Sequence, residues 1–336
     1  MLTNSRSGIS NWWLIPSLFF LYLPEPARAI REETRIPPGV SQVSARIAST
    51  QAYSEAFDEY GDRQPLWKLI IRDQELKEVI DGELMRESTL IEFLWAYGLN
   101  ADWILELSIP LERKIQTSGL ALKKGVETQS SWDSMIKNLS SETLTGMGDL
   151  GFKAGYEMGA STKWFVRGGL LLVLPSGQTR ALKGIHGHSL SEGQVSTEIF
   201  LHLNWFPFVH GLRNGVRLGT TSHFKSRRET LSGSEGEYAP GNRLDVHYNW
   251  SYERLNWFYA FELHRLVQQE SQLLEGQKNN GYKDELLMEF GWGNLSELEK
   301  RPLVMPWQVR LGHLIPIRGE NQPISNAWII SAQLFF

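Results

Sequence analysis

Two short stretches of the sequence carry residue types that bind metals or attack carbonyl groups. His186 and His188 flank a glycine and precede Ser189, which brings imidazole nitrogens and a hydroxyl close together. No third metal ligand lies nearby in the sequence, and this composition is typical of a solvated loop. The stretch is therefore interpreted as a loop, and neither a metal nor another cofactor is predicted.

Ser222 and His223 form the second stretch, because a serine beside a general base is the minimum requirement for acyl transfer. Both residues lie near the end of a predicted strand, where adjacent side chains point to opposite faces. The two side chains therefore cannot easily share a proton. A membrane-embedded hydrolase is the least favoured function, and no catalytic residue is predicted.

A much larger set of polar side chains recurs at every second position of apolar stretches. From 195 to 206, Ile199 and Leu201 alternate with Glu198 and His202, and the same period occurs at 243–251. A period of two is the signature of a β-strand with two different faces. The polar face defined in this way consists of Glu106, Asp149, Lys153, Glu157, Arg167, Glu198, His202, Asn204, Arg217, Asp245, His247, Glu262, His264 and Arg310.

The opposite face of these stretches indicates where the strands lie. It carries large aliphatic side chains in the middle and aromatic side chains toward the ends, and the chain has 13 Trp, 10 Tyr and 15 Phe. A soluble β-sandwich also alternates, but aliphatic centres with aromatic ends are typical of a band that faces lipid. The predicted fold is all-β, a transmembrane antiparallel up-and-down β-barrel with long extracellular loops.

The first residues predict export. Arg6 precedes an apolar run at 12–23, and Ala27-Arg28-Ala29 has the small-x-small pattern of a signal-peptidase site. Residues 1–29 are therefore expected to be a cleaved signal peptide, which leaves 30–336 as a single barrel domain. The chain has no cysteine and a net charge of -4, so neither disulfides nor a nucleic-acid partner is predicted.

The last strand carries a further indication. Counting back from Phe336, Leu334, Ala332, Ile330 and Trp328 form one apolar row. This row resembles the terminal-strand signal that is read by the barrel assembly machinery of the bacterial outer membrane. The expected location is that membrane, and the expected partners are its lipid and the assembly machinery.

The alternation places eleven strands, and an even number requires one more. The twelfth strand is predicted near 41–54, with 66–72 as the alternative, so that 30–87 holds the first strand and a long first loop with a short hairpin or helix. Short turns at 98–102, 159–162, 207–212 and 252–254 are expected on the periplasmic side. The eleven strands are placed near 88–97, 103–113, 146–158, 163–174, 195–206, 213–224, 243–251, 255–267, 284–293, 305–317 and 326–336.

Three motifs resemble one family of outer-membrane proteins. Tyr97-Gly98-Leu99-Asn100-Ala101-Asp102-Trp103 is similar to the "YGLTDR" hairpin of the MetA-pathway of phenol degradation family, although Asn100-Ala101 replaces Thr-Asp. The segment 146–156 resembles its "GLGDLxLGxKY" strand, and 172–177 resembles "LxLPTG" with Ser176 in place of Thr. The resemblance implies a transporter-like barrel of about a dozen strands that passes small aromatic or otherwise hydrophobic compounds.

The sequence leaves the state of the lumen open. The inward acids and bases either line a polar route for a small hydrophobic or aromatic solute or pair with one another and fill the interior. In the first case the protein is a channel or transporter. In the second it is a structural or surface-interaction barrel.

Overall fold

The computed structural model describes the chain from Ile36 onward, with gaps. The described residues are 36, 38–71, 74–125, 130–160, 163–177, 190–191, 193–207, 211–229, 235–238, 241–254, 256–272, 278–294 and 305–336. The predicted signal peptide and the stretch His186 to Ser189 lie outside them. Among the described residues, no helix is both long enough and apolar enough to cross a membrane.

Most of the described residues lie in strands. The elements are β1 (Ser41–Thr50), β2 (Glu55–Phe57), β3 (Arg63–Pro65), α1 (Leu66–Ile70), α2 (Gln74–Val79), β4 (Ile80–Asp81), β5 (Leu84–Gly98), β6 (Trp103–Ser118), β7 (Ala121–Leu122), α3 (Ser130–Asn138), β8 (Glu142–Met147), β9 (Leu150–Ala160), β10 (Trp164–Leu174), β11 (Ser196–Trp205), β12 (Leu212–His223), β13 (Ser226–Glu229), β14 (Glu235–Tyr238), β15 (Arg243–Arg254), β16 (Trp257–Gln272), β17 (Lys278–Gly293), β18 (Trp307–Glu320), β19 (Gln322–Pro323) and β20 (Ala327–Phe335).

The long strands form one closed antiparallel barrel. The order β5-β1-β20-β18-β17-β16-β15-β12-β11-β10-β9-β6 is closed by pairing of β5 with β6. β8 and β9 pair with different halves of β6 and so occupy one strand position. The barrel therefore has twelve strand positions, as predicted from the alternation together with the requirement for an even number, and its first strand is β1 within the favoured range 41–54. The alternative strand at 66–72 is wrong, because helix α1 occupies most of it.

The strand position shared by β8 and β9 contains a β-bulge. Leu111 pairs with Met147, but Ser108 pairs with Gly151, so one extra residue lies on the β8–β9 side. The bulge faces Pro110, which has no N–H for the ladder and instead accepts a hydrogen bond from the Gly148 N–H at 2.9 Å. The predicted continuous strand 146–158 is therefore wrong at 148–149.

The outer face of the barrel carries the predicted apolar band. Ile199, Ile330 and Leu170 are 64%, 50% and 47% exposed. Aromatic rings cluster at the end of the barrel that carries the short turns, as in the pairs Trp103 with Tyr156 and Trp292 with Trp307, whose ring centroids are 5.0 and 4.9 Å apart. Such a girdle matches the amphipathic aromatic side chains at a membrane interface.

The opposite end of the barrel carries a small folded cap. Its apolar core is buried and joins the segment between β1 and β5 to the segment between β6 and β8. The core residues are Ala56, Leu66, Trp67, Leu69, Ile70, Ile71, Leu76, Ile80, Leu84, Leu120, Trp132 and Leu139. Burial raises the pKa of the Tyr53 hydroxyl beside this core, and the charge of Arg86 opposes that shift. The predicted long first loop is therefore an ordered structure with a hairpin and helices.

Three of the connections between the predicted strands also contain strands. β16 and β17 continue to Gln272 and start at Lys278, so most of 268–283 is a hairpin extension. The segment 225–242 holds the hairpin β13–β14, and 114–145 holds the end of β6, α3 and the start of β8. These segments are rich in polar residues, and their sequence therefore lacks the alternation of a membrane strand.

Candidate functional site: the barrel lumen

The polar row predicted from alternation lies on the inner face of the barrel. On β11, β12, β15 and β16, the side chains that alternate with the exposed apolar ones are buried or half-buried. Antiparallel register brings the rows of neighbouring strands side by side, since His202 pairs with Arg217, and Arg217 pairs with His247. The inner wall therefore brings together charges that are far apart in sequence.

One chain of contacts crosses four of these strands. Arg217 on β12 forms an ion pair with Glu198 on β11. The Nη1 of Arg217 also lies 3.4 Å from Nε2 of His247 on β15, and Nδ1 of His247 lies 2.5 Å from Oε1 of Glu262 on β16. Because an arginine can only donate, Nε2 of His247 accepts a hydrogen bond from Arg217. The Nδ1–H of His247 then donates a hydrogen bond to Glu262.

His264 on β16 is the centre of a second set of contacts. Its Nε2 lies 3.2 Å from Oδ1 of Asp245, and its Nδ1 lies 3.4 Å from Oε2 of Glu285. Carboxylates only accept, so both ring nitrogens are satisfied when His264 is an imidazolium. Lys283 Nζ lies 2.6 Å from Glu285, and Arg243 Nε lies 3.4 Å from Asp245. These cations offset the remaining negative charge of the two carboxylates.

The two sets of contacts meet through their histidines. The rings of His247 and His264 stack with centroids 4.0 Å apart and planes 21° from parallel. Together the two sets form a ladder across the inner wall, called the charge ladder below. Its members are Glu198, Arg217, Arg243, Asp245, His247, Glu262, His264, Lys283 and Glu285.

Part of the charge ladder has the residue types of a metal site. Ligand atoms of Asp245, His247 and His264 all lie within 4.8 Å of one another. However, stacked rings direct their nitrogen lone pairs side by side rather than toward one point, and each ring nitrogen already faces a partner in the ladder. The geometry therefore favours a network of ion pairs over a preformed metal centre.

Nearer the short turns, a separate cluster surrounds Asn204, which is fully buried. Arg213 donates to the Asn204 amide oxygen at 2.7 Å, and the amide nitrogen donates to Nε2 of His202 at 3.0 Å. The ring of Phe165 lies 5.7 Å from the guanidinium carbons of Arg213 and Arg167. Glu157, also buried, pairs in register with Arg167.

Three further predicted residues, Glu106, Lys153 and Arg310, take part in two separate sets of contacts. Lys153 on β9 donates to Glu106 on β6 at 2.9 Å. Arg310 on β18 lies 3.7 Å from Glu289 and donates twice to the Gln308 side-chain oxygen, at 2.8 and 2.7 Å. Asp149 differs from all of these, because it lies in the bulge, where its carboxylate accepts from the Gly177 N–H at 3.4 Å. It is therefore not part of a regular inward row.

The fold is that of an outer-membrane β-barrel. An outer-membrane channel from Pseudomonas putida F1 aligns with a TM-score of 0.64 at 11% identity, covering 92% of this chain and 100% of that chain. The NanC porin aligns with a TM-score of 0.40 at 12% identity, over 87% and 98% of the two chains. The toluene transporter TbuX of Ralstonia pickettii gives 0.44 at 8% identity, over 93% and 96%. No protein-family model and no curated protein sequence matches the chain, so the resemblance to the MetA-pathway family stays a prediction.

Sequence reasoning missed the aromatic residues of the inner wall. Phe165, Phe200 and Phe258 are at most 8% exposed and lie at inward positions. Lys153 and Arg217 lie 5.1 and 5.4 Å from the Phe200 ring, which places a cation on each side of it. Arg310 lies 4.3 Å from the Phe258 ring. The signal was present, since Phe200 occupies the polar phase of its strand.

The close fit around Phe200 gives a testable expectation for Gly169. A Cβ on Gly169 would lie 2.4 Å from both the Phe200 ring and the Ala154 carbonyl oxygen. Gly169→Ala should therefore destabilise the barrel by about 1–3 kcal/mol, since the backbone oxygen cannot move aside within the sheet. The measurement is urea unfolding in lipid vesicles.

Gly119→Ala is the control for this substitution, because its added Cβ would meet only the Glu83 carbonyl at 3.9 Å. Equal stability of the two variants would contradict this prediction, because it would show that both the strand backbone and the Phe200 ring move aside for an added methyl group.

One hollow in the described structure lies on the outer face. It has a volume of about 780 Å³ and lies between β9 and β15, where Gly168 leaves space beside Leu170, Ile199 and Leu201. Its walls are mostly aliphatic, and Ile199 and Leu201 are exposed positions of the apolar band. The hollow therefore belongs to the lipid-facing surface rather than to the lumen.

Proposed function

We propose that this protein is an outer-membrane channel for small hydrophobic or aromatic molecules, exported by the signal peptide 1–29. The fold and its exposed apolar band support a membrane location. The P. putida F1 protein with the same fold is an outer-membrane channel, and the proposal extends that function to this chain. The aromatic class of solute comes from the motif resemblance at 97–177.

The observation that carries the proposal is the exposure of charged side chains inside the barrel. The side chains of Lys153, Glu262 and Arg217 are 30%, 28% and 26% exposed although they lie on the inner face. Charged groups in a fully packed lumen would lose almost all contact with water at a high cost in free energy. The exposed fraction therefore supports a lumen with space for water and a small solute.

The number of strands in the barrel limits the size of the solute that can pass. Eight-stranded barrels are filled by their own side chains, whereas porins with sixteen or more strands enclose a wide aqueous channel. A barrel of twelve strands lies between these cases, and the side chains of the charge ladder narrow its lumen further on one side. A small planar molecule fits such a route better than an oligosaccharide.

Liposome swelling tests the proposed function. The purified barrel should accelerate swelling in phenylalanine or sodium benzoate more than in raffinose, because raffinose is too bulky for the narrowed lumen. Protein-free liposomes give the baseline, and heat-modifiable mobility of the same sample shows that the barrel is folded. A folded barrel that leaves every swelling rate at the baseline would exclude the channel.

The charge ladder favours a second candidate, a structural barrel whose lumen is closed by ion pairs. Its acids and bases meet one another across β11 to β17, as a plug requires. In that case swelling stays at the baseline for the wild type, and weakening the ladder lowers stability before any flux appears. A hydrolase has less support, because Ser222 is exposed on the outer face and His223 contacts Gln194 at 3.3 Å.

A further inference from the structure

Arg46 differs from the other basic side chains of the inner wall. It lies in the middle of β1, in register with Glu92 of β5 and Ser331 of β20. Its neighbours Ile47, Ile330 and Ile91 belong to the outward phase, so Arg46 points inward. It is nevertheless an exposed residue, which places its guanidinium in open lumenal space.

The other inward bases in the described strands have partners. Ion pairs with carboxylates are formed by Lys114, Lys153, Arg217, Arg243, Lys283 and Arg310. Arg86 and Arg213 donate to side-chain amides, and Arg167 lies beside Phe165. Within the described residues, Arg46 has no such contact, and no ion pair joins it to Glu92 although the two are in register. Its five N–H groups are therefore available to a solute.

The surroundings of Arg46 favour a particular kind of anion. A guanidinium presents a planar pair of donors that matches a carboxylate. On one side of Arg46, the next inward positions of the three strands are Ala48, Leu90 and Ile329, which lie in register and are apolar. A ligand held here would place its charged end on Arg46 and an apolar body against these side chains.

We propose that Arg46 is a solute-binding residue of the lumen and that small organic carboxylates with an apolar body are the preferred solutes. This inference rests on the proposed channel function and names its substrate class. Glu92 competes with the solute for Arg46, because it is the nearest carboxylate in register. Removing either side chain should therefore shift the selectivity of the channel in opposite directions.

The size of the effect follows from Coulomb's law. A unit charge about 7 Å from the path of a monovalent ion in water changes the local concentration of that ion by about threefold. Benzoate and benzyltrimethylammonium have similar sizes and opposite permanent charges at neutral pH. The wild-type channel should pass benzoate at least about threefold faster than benzyltrimethylammonium.

Swelling rates of Arg46→Gln, Arg46→Lys and Glu92→Gln test the inference. Arg46→Gln should remove the preference for benzoate, Arg46→Lys should keep part of it, and Glu92→Gln should increase it. Arg113→Gln is the matched control, because Arg113 is exposed on the outer face of β6. It should leave the preference unchanged.

The outcomes separate this inference from the proposed function. If wild-type protein passes neither ion nor phenylalanine, the channel itself is excluded. If both ions pass at equal rates, or if the preference persists in Arg46→Gln, the channel stands and the role of Arg46 is wrong. Should Arg46→Gln fail to fold, Glu92→Gln still decides, since an unchanged preference in that variant contradicts the inference.

Discussion

Asp245→Ala should lower the free energy of unfolding by about 3 kcal/mol, because it removes the carboxylate that faces both His264 and Arg243. Asp245 is 5% exposed, so little water is available to replace it. The two cations would remain on the inner wall with fewer acceptors, and the loss of a partner from a buried pair is more costly than the pair itself is stabilising. Urea unfolding in lipid vesicles, followed by tryptophan fluorescence, measures the change.

Glu55→Ala provides a matched control on the surface. Glu55 forms an ion pair with Arg63 at 3.2 Å, and the two side chains are 52% and 70% exposed. The loss should be below about 1 kcal/mol, since water and salt screen an exposed pair. A similar small loss in Asp245→Ala would mean that solvent reaches the charge ladder freely, and the ladder would then not hold the strands together.

The strands of the barrel wall could be predicted from the sequence, because one face of each strand contacts lipid and the other faces the lumen. Period-two alternation identified the strands from β10 to β12 and set Glu198, His202 and Arg217 apart from the exposed apolar side chains. The signal is strong where lipid requires an apolar side chain at every second position. β1 was instead placed by the need for an even number of strands, and its outward residues Val43 and Ile47 are exposed.

The charge ladder could be predicted as a set of inward residues but not as contacts. Alternation places Asp245 and His264 on the same face, and strand order makes them neighbours. Which nitrogen of His264 meets which carboxylate depends on register and side-chain conformation, and these are fixed by hairpin geometry. Lys283 was missed, because the segment near 278–283 is too polar to indicate a strand. Glu285 lies at the start of the predicted strand 284–293 but was not assigned to the inward row.

Two features depended on contacts that alternation does not encode. The bulge at 148–149 arises because Pro110 on the neighbouring strand lacks an N–H, so the cause lies almost forty residues away. The cap forms from short helices with buried residues such as Leu76 and Ile71, and each segment is too short for a clear helical period. Tertiary packing decides such elements more than local preference does.

Removal of Phe336 should prevent the closing strand from reaching its register. The Phe336 N–H donates to the Ser41 carbonyl, and the Ser41 N–H donates to the Phe336 carbonyl, both at 2.9 Å. These bonds fix the pairing of β20 with β1. Without Phe336 the protein should accumulate in the periplasm, because the unpaired edge of β1 has no stable place in lipid. Cell fractionation and heat-modifiable mobility measure the outcome.

The deletion also tests whether assembly requires only an aromatic last residue or one that lies on the outward face of the strand. A chain shortened by one residue still ends in an aromatic residue, Phe335, but Phe335 is 8% exposed and belongs to the inward row with Gln333. Phe336→Ala keeps the two backbone hydrogen bonds and the phase, whereas the deletion loses both. We expect severe loss of assembly in the deletion and a milder defect in Phe336→Ala. Normal amounts of heat-modifiable barrel from the deleted chain would show that a terminal aromatic is sufficient in either phase, and the outward row Trp328, Ile330 and Leu334 would then not be the assembly signal.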